Sequence, residues 1–195
     1  MSNTYVIMPV KYQSKRLKNK NILPINNLPM FVYVFKKIQK LKIIKKILVS
    51  TESKIIKKLC IDYKINFISR PKYLAKPNIE KQAVIVHAIK KSKFIKKNDI
   101  IISIQPNSPE IKINDLSKAL NFFKNKLYLK SDIKELICVN SKNIQNPAFR
   151  ILTYKAAFQK TLSTKIGVYF ADYEDIHNMK DYLKVKKKIK KNNEL

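Results

Sequence analysis

The chain holds one glycine in 195 residues, no tryptophan, two cysteines and two histidines. Acids are scarce as well: 13 aspartates and glutamates stand against 42 lysines and arginines, a formal net charge of +29. Each scarcity excludes something. Two cysteines, Cys60 and Cys138, each in an apolar setting, make no disulfide framework and read as buried, reduced thiols of a cytoplasmic protein. No Cys/His spacing suggests zinc. No apolar run approaches a bilayer span, Met30 to Phe35 being among the longest, so no membrane partner is expected. The first ten residues, MSNTYVIMPV, lack the charged start and small-residue cleavage site of a signal peptide and read as a first strand. The scarcity of acids leaves a bulk basic character that favours any polyanion. The lysines are spread over every candidate helix, however, and only Arg16, Arg70 and Arg150 are arginine. Charge of this kind is a drift of the whole composition, and no dedicated nucleic-acid surface follows from it.

Hydrophobic content of 45% and a length of 195 residues suit one folded domain, 1–195, with a short basic tail from about 186 to 195 that is expected to fray. Apolar runs mark strands at Tyr5–Val10, Ile47–Ser50, Asn66–Ser69, Asp99–Gln105 and Leu136–Val139. The run DIIISIQ is apolar nearly throughout, as expected of a strand covered on both faces. Helical spacing relates Phe31, Val34, Phe35, Ile38 and Leu41. It recurs over Ser53–Tyr63 and Glu80–Lys91, and after Asn114, a candidate cap for a face of Leu116, Ala119, Leu120 and Phe123. Asn178 and Asp181 form a capping pair that opens a last helix, with Met179, Tyr182 and Leu183 expected inward. His87 falls mid-helix among apolar residues and reads as structural. Alternating strands and helices make a mostly parallel α/β sheet flanked by helices, in which ligands bind beyond the carboxyl ends of the strands. Three polar segments fall at such ends: PVKYQSKRLKNKN (Pro9–Asn21), STES (Ser50–Ser53) and QPNSP (Gln105–Pro109).

These segments carry a resemblance. PVKYQSKRLKNKNILPINNLPM, ILVSTES, SRPKYLA, IQPNSP and DIHNMKDYL occur in the order of the motifs of the acylneuraminate cytidylyltransferases, the CMP-sugar synthetases, and cover most of the chain. NPAFRI resembles the branch acting on pseudaminic acid. The resemblance implies a Rossmann-like nucleotide-diphospho-sugar transferase fold. It implies transfer of CMP from CTP to a nonulosonic sugar acid with release of pyrophosphate, assisted by Mg²⁺. It assigns Lys11, Lys15, Arg16, Lys20, Asn21, Arg70, Gln105 and Ser108 to the nucleotide. Lys11, Lys20 and Asp175 would carry the chemistry, and Asp175 the metal. Lys11 stands where the family has arginine, keeping the charge but not the bidentate fork. Tyr12-Gln13 replaces small residues, Pro77 replaces an aspartate, and His177 replaces the second carboxylate of the closing motif. The stretch between Arg150 and Asp175 is short where the family carries sugar contacts and a dimerisation arm, so any homodimer is weakened. A second reading stays open: a basic protein of the same fold that holds a nucleotide or polyanion without turnover.

Overall fold

The computed structural model describes residues 2–128, 133–160 and 164–191. In chain order the elements are β1 (Thr4–Pro9), β2 (Pro24–Ile25), β3 (Leu28–Pro29), α1 (Met30–Gln39), β4 (Lys46–Thr51), α2 (Lys54–Asp62), β5 (Phe67–Ser69) and α3 (Lys81–Ser92). There follow β6 (Ile100–Ile104), α4 (Ile113–Tyr128), β7 (Glu135–Val139), β8 (Gln145–Thr153), α5 (Tyr154–Ala157), β9 (Ile166–Phe170) and α6 (Met179–Lys191). Seven strands form one sheet in the order β5-β4-β1-β6-β8-β7-β9. β5, β4, β1 and β6 are mutually parallel, β8 runs antiparallel to both β6 and β7, and β9 is parallel to β7. This is the mostly parallel, helix-flanked α/β sheet expected from the sequence.

Strand alternation explains the layering. Val6 and Met8 of β1 point to one face, and Tyr5 and Ile7 to the other. The first face is packed by α1, α2, α4 and α6, the second by α3 and α5. Both faces are covered, so the central strands are apolar almost without interruption.

With a single glycine, the chain makes its left-handed turns from other residues. Positive φ falls on Asn19, Asn26, Asn27, Lys64, Lys93 and Asn143. Asn26 (φ 44) and Asn27 (φ 61) form the two-residue hairpin joining β2 to β3, and asparagine tolerates this region better than other side chains. The glycine itself, Gly167, serves packing: an added Cβ would lie 3.3 Å from two side-chain carbons of Ile133.

The expected strands and helices are present, with four differences. β8, over the NPAFRI segment, and β9 are added strands, and the short β2–β3 hairpin and α5 are additions as well. Asn114 lies inside the first turn of α4, which starts at Ile113, so it does not cap that helix. On α6 it is Tyr182, Val185 and Ile189 that are buried, while Met179 and Leu183 are 50% and 57% exposed. Finally, the basic run does not fray at 186: α6 continues to Lys191, and residues 192–195 lie outside the described ones. Spacing of three and four residues along 182, 185 and 189 gives this helix its seam. Lys188 reaches Glu110 at 2.5 Å and Lys184 reaches Glu174, so two of its lysines tie the helix to acids elsewhere.

Candidate active site

β1 ends at Pro9, and the next backbone N–H, that of Val10, still bonds to Ser50 O in β4. The following loop leaves the carboxyl edge of the sheet and re-enters through a 3-10 turn, Lys20–Ile22, preceded by Asn19 in the left-handed region. Lys11, Arg16, Lys20 and Asn21 from this loop line a cleft of about 360 Å³. Arg70 enters from the end of β5, Lys81 from the start of α3, Gln105 and Asn107 from the end of β6, and Asp175 and His177 from the segment before α6. Seven of the residues expected from the sequence therefore meet in one space. Lys15 is exposed and does not line it. Ser108 is fully buried beneath it, and its hydroxyl donates to Asp175.

Burial and neighbouring charge set the electrostatics. The Lys20 ammonium donates to Ile176 O at 2.8 Å, and burial brings its pKa down to about 8. Asp175 opposes that fall, while Arg16, Lys11 and Lys81 add to it. The Asp175 carboxyl is pushed above the usual carboxylate range by burial, although the Ser108 bond, His177, Lys20 and Lys81 pull it back. The Lys81 ammonium is likewise lowered, first by desolvation. His177 Nε2 lies 3.8 Å from Asp175 Oδ2, its Nδ1 is buried without a partner, and burial lowers its pKa. Its backbone N–H and that of Asn178 both donate to Asp181, whose own N–H donates to Asn178 Oδ1, so the expected capping pair is complete. The cap thereby fixes the chain direction just after Asp175.

Other polar contacts hold the walls. Asn21 Nδ2 donates to Lys11 O at 2.7 Å, which leaves its Oδ1 buried and without a partner. Gln105 Nε2 donates to Pro147 O at 3.0 Å. Lys37 Nζ of α1 donates to Pro109 O, and Glu110 accepts from the Glu174 backbone, tying the β6 loop to the Asp175 segment. Arg70 gives both Nε and Nη2 to Glu52.

The acidic donors are few. Among the described residues no group of three or more His, Cys, Asp or Glu side chains converges as for a metal ion. Asp175, with one oxygen already accepting from Ser108, is the residue that would hold a magnesium ion, a hard cation that takes oxygen donors. Sequence reasoning overlooked two residues. Lys81 was one lysine among many, and only its position at the first turn of α3 singles it out. Glu52 lay within the quoted ILVSTES segment but received no role.

A covered α/β sheet whose parallel strands bring a lysine- and arginine-lined cleft to their carboxyl edge belongs to the class of α/β proteins that bind ligands at that edge, here with a lining suited to an anion. The particular family follows from comparison: residues 5–194 match the model described as Cytidylyltransferase, and the chain belongs to that family. Among curated proteins it is 27% identical over 121 residues to 3-deoxy-manno-octulosonate cytidylyltransferase 2 of Hydrogenovibrio crunogenus, covering 62% of this chain and 47% of that one. It is 33% identical over 113 residues to the Post-translational flagellin modification protein B of Campylobacter coli, covering 56% and 48%. The matched region thus spans about half the length of each relative. A solved CMP:2-keto-3-deoxy-manno-octonic acid synthetase complexed with CTP superposes with a TM-score of 0.80 at 13% identity, over 98% of this chain and 100% of that one. A cytidylyltransferase from Leptospira borgpetersenii gives 0.75 at 15% identity, over 98% and 88%. No helix among the described residues is long and apolar enough to cross a membrane.

Proposed function

We propose that this chain transfers CMP from CTP to a 2-keto sugar acid of the nonulosonic class, releasing pyrophosphate. The observation that carries the reading is the meeting of Lys11, Arg16 and Lys20 with Asp175 in one cleft of a cytidylyltransferase-family fold. The match to a 3-deoxy-manno-octulosonate cytidylyltransferase supports a 2-keto sugar acid as acceptor, and the order of the sequence motifs supports the nonulosonic class within it.

In this reaction the oxygen of the acceptor's anomeric hydroxyl bonds to the α-phosphorus of CTP, and its proton passes to solvent. The bond from that phosphorus to the bridging oxygen breaks, and pyrophosphate leaves with the electron pair. Negative charge accumulates on the bridging and nonbridging oxygens, and fixed cations in a partly dry site stabilise it. Lys11, Arg16 and Lys20 act as those cations. Burial of Lys20 makes its contact stronger than it would be in water. Asn21 presents its free Oδ1 to a donor of the nucleotide. Asp175, held by Ser108, would hold Mg²⁺, which supplies further charge neutralisation on the phosphates.

One observation favours binding without turnover. His177 stands beside Asp175 where the family carries a second carboxylate, and histidine is a poor magnesium ligand. Thermal-shift titration with CTP, UTP, ATP and GTP tests the shared part of both readings, because a ligand of the native state raises stability. CTP should give the largest shift. Equal shifts from all four would mean that only phosphate charge is read.

A further inference from the structure

Glu52 lies between two parts of the site that the sequence does not connect. One oxygen, Oε2, accepts from Arg70 Nε at 2.9 Å and Nη2 at 2.6 Å. The other, Oε1, accepts from the backbone N–H of Tyr12 at 3.3 Å, at the start of the cationic loop. The pair is well removed from solvent, with the side chains of Arg70 and Glu52 only 3% and 14% exposed. Behind it, Arg70 N bonds to Thr51 O and Ser53 N to Thr51 Oγ1, so the strand ends of β4 and β5 are joined at the same point. Arg70 lines the main cleft, whereas Glu52 lines an adjoining one of about 570 Å³ with Tyr12, Ser53 and Lys76.

We propose that Glu52 is a positioning residue. It fixes the first turn of the cationic loop relative to the Arg70 guanidinium, and it neutralises that guanidinium so that Arg70 does not join the polyphosphate-binding cations. The inference rests on the nucleotide reading of the main cleft. The physical grounds are the number and kind of the bonds. A guanidinium whose Nε–Nη2 edge is held by a carboxylate has one orientation, and only the N–H groups facing away from that edge are left to meet a ligand. An unpaired Arg70 would be a strong, mobile anion trap in a cleft already holding Lys11, Arg16, Lys20 and Lys81. Neutralising Glu52 should therefore act with opposite sign on two ligands. The oriented nucleotide loses a fixed partner, while a bare polyphosphate gains a cation.

The test uses the full chain, with calorimetric titration of CTP and, separately, of inorganic tripolyphosphate, on wild type, Glu52→Gln and Glu52→Asp. For Glu52→Gln the expected result is CTP affinity lower by about tenfold or more, the scale of a lost charge-assisted hydrogen bond. Tripolyphosphate affinity should rise several-fold at low salt. For Glu52→Asp, which keeps the charge but is one methylene short of spanning both partners, CTP should weaken and tripolyphosphate should be unchanged. Parallel loss of both ligands in Glu52→Gln would make the residue a general structural strut and overturn the proposal. Parallel gain would leave only net charge and overturn it too, as would no change. If Glu52→Gln does not fold, Glu52→Asp decides alone, and unchanged CTP affinity there overturns the proposal. A wild-type chain that binds CTP no better than tripolyphosphate would sink the nucleotide reading itself, a different outcome from any of these.

Discussion

Lys20→Met separates what a buried cation costs the fold from what it gives the site. In the free protein, burial holds the Lys20 ammonium at a pKa of about 8 against an ordinary 10.5. A difference of that size corresponds to about 3 kcal/mol against the folded state, and partial solvation reduces the working figure to about 1–2 kcal/mol. Methionine is similar in length and carries no charge, but it strips Ile176 O of its donor at 2.8 Å, a loss of about 1 kcal/mol. The two effects nearly cancel. The variant should therefore melt within about 3 °C of wild type near neutral pH. The sign with pH is definite. The folded pKa lies below the unfolded one, so the destabilisation is full below about 8 and is relieved as pH rises from there towards 10.5. Wild type should thus gain stability relative to Lys20→Met across that window. CTP binding should go the other way. A charge-assisted contact to phosphate is worth about 1.5–3 kcal/mol, so the variant should bind CTP about 10- to 100-fold more weakly near neutral pH. Wild-type affinity should itself decline as pH rises through about 8, where the ammonium loses its proton. Urea melts and CTP calorimetry on both proteins, near neutral pH and at about pH 9.5, measure all of this. A variant that loses several kcal/mol of stability yet binds CTP like wild type would make Lys20 a strut for the Asp175 segment and refute the reasoning.

Other expectations concern the frame around the site. Lys64 sits at φ 55 just past α2, where Ile65 N reaches back to Cys60 O, so Lys64→Gly should stabilise the protein by about 1 kcal/mol in denaturant melts. Asp181→Ala removes the acceptor for two backbone N–H groups at the start of α6 and should cost about 1–2 kcal/mol. Faster hydrogen exchange at residues 177–182 should accompany that loss. His177→Asp adds a hard anionic oxygen beside Asp175 and should lower the Mg²⁺ concentration giving half-maximal product formation; an unchanged requirement would remove residue 177 from the metal's surroundings.

Much of the architecture is legible in the sequence because the parallel core is written in uninterrupted apolar runs. IIISI in β6 and YVIM in β1, short and rich in β-branched residues, read as strands covered on both sides. The cationic loop, STES and the QPNSP turn could be placed at one edge because parallel strands deliver their ends there, while the closing motif came in only through the resemblance. What stayed hidden had weaker local signals. β8 contains Pro147 and Arg150, and it breaks register with β7 between Ile137 and Cys138, so no clean alternation marks it. α6 looks like a lysine tail because only Tyr182, Val185 and Ile189 form its seam, while Lys188 finds its acid far along the chain, in Glu110. Lys81 is chemically indistinguishable from its neighbours until α3 brings it to the cleft. Ser108 was named for the nucleotide, yet its depth gives it to Asp175. Such assignments depend on tertiary depth, which spacing alone does not encode.

The central claim is tested most directly by incubating the chain with CTP, Mg²⁺ and a panel of nonulosonic acids, and following pyrophosphate release together with the mass of the nucleotide product. Wild type should convert at least one acid to its CMP derivative with one pyrophosphate per product, and Asp175→Asn should convert none. CTP bound without product from any acid, or equal product from Asp175→Asn, would contradict it.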